Sequence, residues 1–445
     1  MKYVGNYIKQ MFFLIKRKEK SEYTKNFFTL AGATAFSQIF TIVGTVVCSR
    51  LYSADDYGIL GIFISILGLI NTVSMLFYHT AIIFPKKDND ADGLLHLCFY
   101  LNILSCGLFF IGLSIPFVQD LIFEAYGSSQ IKKWFFMLFL GLFAMNMVSI
   151  LSAYANRFKM YQILSISRVI TSLSSVFIAI GMGLWFINPQ ESGGLVWAYL
   201  SSLVLGMVYL FVAVVRQSPE LIAYKSSIAH FKCLMTEHRK LALYTMPAEF
   251  VSNFANQIPL FFLGQFGEGA IGLYTMVGRI FSMPTQLVIG SVAEVFRQTA
   301  SAEYAHQGTC RPVIDKTVKV LMPLSMVITL CAISLSPYLF PWVLGQEWAV
   351  SGVFAQIMAS MVFIRFVSSP LSYVFLIAQK NRFDLVLSLY STAMTYMVMY
   401  LSFQYTHNVY VMLGMYSLFS TSLAVFTIFK AYQLANNPYY IQTTH

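Results

Sequence analysis
The chain has 445 residues, 57% of them hydrophobic and only 11% charged, with a formal net charge of +10. A soluble protein carries roughly 25% charged residues, so this composition excludes a chain that turns most of its surface to water. The cations lie at the ends of apolar segments, which favours membrane orientation over nucleic-acid binding.

Residues 1–25 read as a basic, partly amphipathic cytoplasmic arm with seven Lys and Arg. Its apolar run, Met11 to Ile15, is too short for a signal h-region and is followed by Lys16, Arg17, Lys18 and Lys20. The first true span is therefore expected to act as an uncleaved signal-anchor. Twelve apolar stretches follow, each near the length of about 20 residues that a helix needs to cross a bilayer. They are predicted at 26–49, 58–84, 93–117, 131–153, 163–187, 193–215, 241–264, 270–295, 317–341, 350–378, 383–403 and 408–430. The runs are continuous rather than alternating, which excludes a β-barrel. The expected fold is all-α and polytopic. The longest connection divides it into a six-helix bundle over 26–215, a cytoplasmic loop over 216–240, a second six-helix bundle over 241–432 and a cytoplasmic tail over 433–445.

Of the 29 Lys and Arg, 23 fall on the side of the N-terminal arm. Arg50, Lys132 and Lys133 fall on the other, and Arg168, Arg279 and Arg365 lie inside spans. This bias places both termini in the cytoplasm, in agreement with an even number of spans.

Enzymatic motifs are missing. There is no Gly-Lys pair, hence no Walker A loop for ATP, and no HExxH or GxSxG. The six Cys form no CxxC and read as small core thiols. Asp88-Asn89-Asp90-Ala91-Asp92-Gly93 opens like a calcium loop, but its twelfth position is Phe99, so it reads as a turn that starts the next helix.

Ionisable residues inside spans are costly and therefore informative. Arg279 lies roughly 14 Å inside span eight, too deep to snorkel easily. It reads either as an anion contact in a watery cavity or as the partner of Glu249 or Glu294. Arg365 is similarly deep. Arg168 sits near a span end and reads as a snorkelled cytoplasmic anchor. Arg50 closes the first span as an interfacial anchor, with a gate or substrate contact as the alternative. Glu249 follows Pro247 and is the candidate for coupling to a proton or Na+, against the plainer reading of an arginine partner. Prolines at 116, 247, 259, 284, 323 and 370 are expected to bend spans, as a moving gate requires.

Several segments resemble a known family. The run Arg50-Leu51-Tyr52-Ser53-Ala54-Asp55-Asp56-Tyr57-Gly58 and the span-two end Ile82-Ile83-Phe84-Pro85-Lys86-Lys87-Asp88 are similar to bacterial polysaccharide-export flippases. So are Arg157-Phe158-Lys159-Met160-Tyr161 with Arg168, Gly272-Leu273-Tyr274 with Arg279, and Leu344-Gly345-Gln346-Glu347-Trp348 followed by Ser369-Pro370-Leu371-Ser372. These are the O-antigen and teichoic-acid type, in the superfamily that includes multidrug antiporters and the lipid II flippase.

The resemblance implies two bundles around a central cavity, alternating access, and an undecaprenyl-diphosphate-linked oligosaccharide as cargo in a bacterial inner membrane. It implies that arginines in the cavity hold the diphosphate; here Arg279 and Arg365 are expected to do so, with Arg50 a further candidate substrate contact, while polar Asn256 and Gln257 are expected to meet sugar hydroxyls. It implies no cofactor beyond a coupling H+ or Na+, and a polysaccharide polymerase and chain-length regulator as partners, with no nucleic acid. Where relatives often carry an Asp-Arg pair in span seven, this chain reads Asn256-Gln257-Ile258-Pro259. A cation-coupled multidrug antiporter is the alternative, and a polysaccharide polymerase or ligase a further one.

Overall fold
An apolar segment with no water to bond its amides satisfies them within itself, as a helix. The computed structural model describes residues 22–85, 87–128, 130–185, 193–223, 227–378 and 381–435, some of these by backbone alone. The arm over 1–21, Lys86, Lys225, Lys380, the tail over 436–445 and the side chains of Glu294 and Pro284 lie outside the described residues.

The first half contains α1 (Glu22–Cys48), α2 (Ala54–Ser74), α3 (Asp88–Leu113), the short α4 (Pro116–Tyr126), α5 (Phe135–Arg157), α6 (Tyr161–Trp185) and α7 (Gly194–Gln217). A short helix, α8 (Ile228–Glu237), lies in the connection. The second half contains α9 (Met246–Gly264), α10 (Glu268–Gln307), α11 (Arg311–Leu344), α12 (Ala349–Ile377), α13 (Asn381–Thr406) and α14 (Val409–Ala435). Each predicted span has its long helix, six in each half.

Three spans depart from their predicted form, each for a local reason. The second breaks after Ser74, where Leu76 and Phe77 take left-handed φ angles of 49° and 64°. A 3₁₀ turn, Tyr78–Ile83, follows. Its Tyr78, Ala81 and Ile82 pack into the core between α3 and α5, so burial outweighs the strain of the turn. The third ends at Leu113 because Pro116 has no amide to continue the ladder and opens α4 instead. The seventh begins with a π turn at Leu241–Thr245, in which the Met246 amide reaches back five residues to the Leu241 carbonyl, just before Pro247.

Within the first half, α6 packs on α1 and α7, and α5 on α7 and α3. Within the second, α12 is central, touching α10, α11 and α14. The halves meet where α2 packs against α10 and α9. At about 60 Å, the 40-residue α10 is twice the hydrocarbon thickness. Its far end is held by a separate core containing Phe296, Tyr304, Cys310 and Ile314.

Among the described residues nine helices are long and apolar enough to cross a membrane. The helices that fall short are α1, described as an apolar stretch only over Gly32–Cys48, and α9 and α10. In α9 the shortfall comes from Glu249, Ser252, Asn253, Asn256 and Gln257. Both α9 and α10 pack against α2 across the seam between the halves, where Asn253 and Gln257 meet protein rather than lipid.

A buried amide network ties the first half together. Asn71 Nδ2 and Ser74 Oγ donate to Asn146 Oδ1 at 2.6 and 2.9 Å, and Asn146 Nδ2 donates to Asn102 Oδ1 at 2.8 Å. Of the six free cysteines, Cys48, Cys98, Cys106 and Cys310 are buried as expected, whereas Cys233 and Cys331 are exposed.

Candidate functional site
The molecule is shut at the end that carries the α1–α2 turn. Arg50 Nη2 donates to the Trp342 and Val343 carbonyls at 3.2 and 3.0 Å, capping the C-terminal end of α11. Ser49 Oγ donates to the Leu344 carbonyl at 2.9 Å, and Trp348 Nε1 returns a 2.9 Å bond to the Ser49 carbonyl. Trp348 is fully buried with its ring edge-on to Tyr57, 5.2 Å between centroids. Backbones approach closely here because the contacts fall on glycine. A Cβ on Gly272 would overlap the Ala54 carbonyl, one on Gly58 the Glu268 carbonyl, and one on Gly264 the Tyr126 carbonyl.

Deeper in, Ser65 Oγ donates to Gln257 Oε1 at 2.6 Å and lies 2.6 Å from the Tyr126 hydroxyl. Asn253 Nδ2 donates to Thr72 Oγ1 at 2.9 Å. Both bonds join α9 to α2, so Gln257, expected at the glycan, is engaged between the halves.

Away from this seam a cavity of about 830 Å³ opens, lined by α1, α5, α6, α7 and α10. Most of its lining residues carry a hydroxyl or an amide, among them Gln38, Thr41, Ser152, Thr171 and Ser175. Two guanidinium groups share it, Arg168 and Arg279. Arg168 Nη1 donates to Thr34 Oγ1 at 2.6 Å. The Arg279 guanidinium carbon lies 5.6 Å from the Tyr57 ring centroid, where the ring's negative face attracts it. Among the described residues no carboxylate pairs with either arginine. The cavity thus holds two positive charges without a counter-charge among the described residues.

Arg365 lies elsewhere. It lines a separate cleft of about 170 Å³ within the second half, with Asn256, Ser368, Thr395, Tyr416 and Ser420. Among the described residues it has no carboxylate partner. Glu249 is exposed on the first turn of α9 and lines neither cavity. Of the five candidate ligand residues, then, Arg279 alone lines the large cavity. Arg365 and Asn256 share the small cleft, Arg50 lies at the shut end, and Gln257 lies in the seam.

Arg168 is the member that sequence reasoning set aside, because its nearness to a span end suggested snorkelling. The signal was present in its neighbours. Ser167, Arg168, Thr171, Ser172 and Ser175 recur on one face of α6, as do Thr34, Ser37, Gln38 and Thr41 on α1. A polar stripe of helical period inside an apolar span marks a wall of an internal cavity.

Comparison with known proteins gives a family and a fold. The sequence profile described as polysaccharide biosynthesis protein matches residues 47–353, more than two thirds of the chain. Solved structures that resemble the chain include the lipid II flippase MurJ in an inward closed conformation, with a TM-score of 0.69 and 14% identity over 90% of this chain and 87% of that one. They also include a multidrug resistance MATE family transporter of the MOP superfamily in an inward-facing conformation, with a TM-score of 0.65 and 15% identity over 89% and 94%. A third is a MOP superfamily transporter from Pyrococcus furiosus, described as having a binding pocket of reverse polarity, with a TM-score of 0.59 and 15% identity over 92% and 95%. No protein with a curated description matches the sequence.

Proposed function
The chain belongs to the polysaccharide biosynthesis protein family, and we propose that it is a flippase, not an enzyme, that moves an undecaprenyl-diphosphate-linked oligosaccharide across a bacterial inner membrane. The observation that carries this reading is the pair Arg168 and Arg279, unpaired among the described residues, in one hydroxyl-lined cavity. A cation left inside a membrane protein costs about 3 kcal/mol or more unless something compensates it. A diphosphate brings negative charge and four free oxygens, and guanidinium forks pair with such oxygens two at a time.

The surrounding Ser, Thr, Asn and Gln offer both donors and acceptors, as sugar hydroxyls require. Arg365 and Asn256, in their own cleft, present further donors to the glycan. The polyprenyl chain has no polar group to satisfy and stays in lipid. With the α1–α2 end taken as the outer face, which the distribution of Lys and Arg supports, the cavity opens toward the cytoplasm, where the cargo is made. Unfastening the Arg50, Trp348 and Gly272 contacts would then expose it to the outer leaflet. A cationic drug, the cargo of the alternative reading, would be repelled by both arginines.

The test is translocation of a lipid-linked oligosaccharide by protein reconstituted in liposomes. Arg168→Gln and Arg279→Gln are each expected to slow it by about 30-fold or more, the cost of losing a charge-assisted contact of about 2 kcal/mol. Wild-type rates in both variants would overturn the reading.

A further inference from the structure
The α5–α6 junction, Arg157-Phe158-Lys159-Met160-Tyr161, plays no part in the cavity chemistry described so far. It borders a second cavity of about 520 Å³, lined also by Ile83, Asp88 and Asn156. Three features set this cavity apart from an ordinary basic loop. The first is its polarity. Its one carboxylate, Asp88, is neutralised by Arg157 at 2.8 Å, and Arg157 is also fixed by bonds to the Ile83 and Pro85 carbonyls. The buried Arg157 Nε–H has no acceptor among the described residues, nor does the Lys159 ammonium pair with a carboxylate there. The exposed Lys159 ammonium therefore lines the space as a cation without a carboxylate partner among the described residues.

The second feature is backbone strain. Lys159 has a φ of 55°. It stands where the Met160 amide reaches back to the Ala155 carbonyl, at 2.8 Å, to close helix α5. That closing position ordinarily holds glycine, because a side chain is strained there. A lysine at a position that favours glycine is strained, and strain of this kind is a pointer to function. The third feature is continuity. Asn156 lines this cavity and the 830 Å³ cavity of Arg168 and Arg279 alike.

We propose that this junction is a docking site for a diphosphate group on the cytoplasmic face, from which cargo passes by Asn156 into the main cavity. The proposal rests on the flippase reading for the identity of the cargo. For the chemistry of the site it rests on these residues alone. Lys159 holds the anion, Arg157 offsets Asp88 beside it, and Asn156 supplies a neutral amide between the two cavities.

The experiment uses the full chain in phosphatidylcholine nanodiscs, with undecaprenyl diphosphate in the bilayer or inorganic diphosphate in solution as probes. Lys159→Gly removes the charge and relieves the turn, so it is expected to unfold at or above the wild-type temperature while binding both probes about tenfold more weakly. Lys159→Arg is expected to bind within about threefold of wild type, since it keeps the charge. Binding by Lys159→Gly within about twofold of wild type would overturn the docking site and leave the Arg168–Arg279 reading standing. Stabilisation by phosphatidylglycerol nanodiscs alone, dependent on Lys159, with no response to either diphosphate, would assign the site to bulk lipid headgroups and overturn the proposal. Conversely, Lys159-dependent diphosphate binding together with wild-type transport in both Arg168→Gln and Arg279→Gln would keep the docking site and overturn the Arg168–Arg279 reading.

Discussion

At the scale of residues, the chain's cations divide by what they touch. Arg50 spends its guanidinium on two backbone carbonyls, and Arg157 on an aspartate and two carbonyls. Arg279 rests against an aromatic face, a contact of about 0.5–2 kcal/mol that positions the group beside the main cavity. That geometry distinguishes a fork from a point charge. Arg279→Lys keeps the charge but not the paired donors, so it is expected to raise the KM for lipid-linked oligosaccharide by about tenfold with little change in kcat. Initial rates measured against cargo density in liposomes would check this. A KM equal to wild type would mean that Arg279 acts only through its net charge.

At the scale of elements, the fold was largely legible because lipid leaves so few choices. Long apolar runs became helices at their expected places, and basic loops marked one end of the bundle. The breaks were less legible. Pro116 announced its own, but the end of α2 at Ser74 depends on Tyr78 finding a buried place near α3 and α8, where its hydroxyl donates to the Met235 carbonyl at 3.1 Å. No local pattern encodes a partner so distant in the chain. Arg168 and Arg365 show the same limit. Depth along a helix is readable from sequence, but the cavity that a residue faces depends on helix rotation and packing.

Buried amides are part of that packing. Asn146 serves Asn71, Ser74 and Asn102 at once, so Asn146→Ala leaves all three short of a partner. Bonds of this kind average about 0.6 kcal/mol in membrane proteins, which predicts a loss of about 1–2 kcal/mol, visible as a lower unfolding temperature in detergent. An unchanged temperature would show that the neighbours re-pair among themselves.

At the scale of the whole molecule, the seam between the halves must open in the proposed transport and so decide which side of the membrane the cavity meets. It is shut by close packing of α2 on α10, through Gly58 and Gly272, and by the Arg50 and Trp348 bonds at its edge. The polar bonds are few and partly exposed, and each is worth about 1 kcal/mol. Steric fit is the stricter condition, because two backbones pack here with no room for a side chain. Gly272→Leu would drive its Cβ into the Ala54 carbonyl, an overlap that no rotamer relieves, whereas separation of the halves removes it. The substitution is therefore expected to hold the molecule open at the α1–α2 end. A cysteine at Thr41, which lines the main cavity, reports this when the exposed Cys233 and Cys331 are replaced by Ser. In intact cells a membrane-impermeant thiol reagent should label Thr41→Cys slowly in the parent and at least about tenfold faster with Gly272→Leu present, the response to about 1.4 kcal/mol of bias toward the open state. Equal labelling in the two would mean that the glycine seam is only a packing contact and that the gate lies elsewhere.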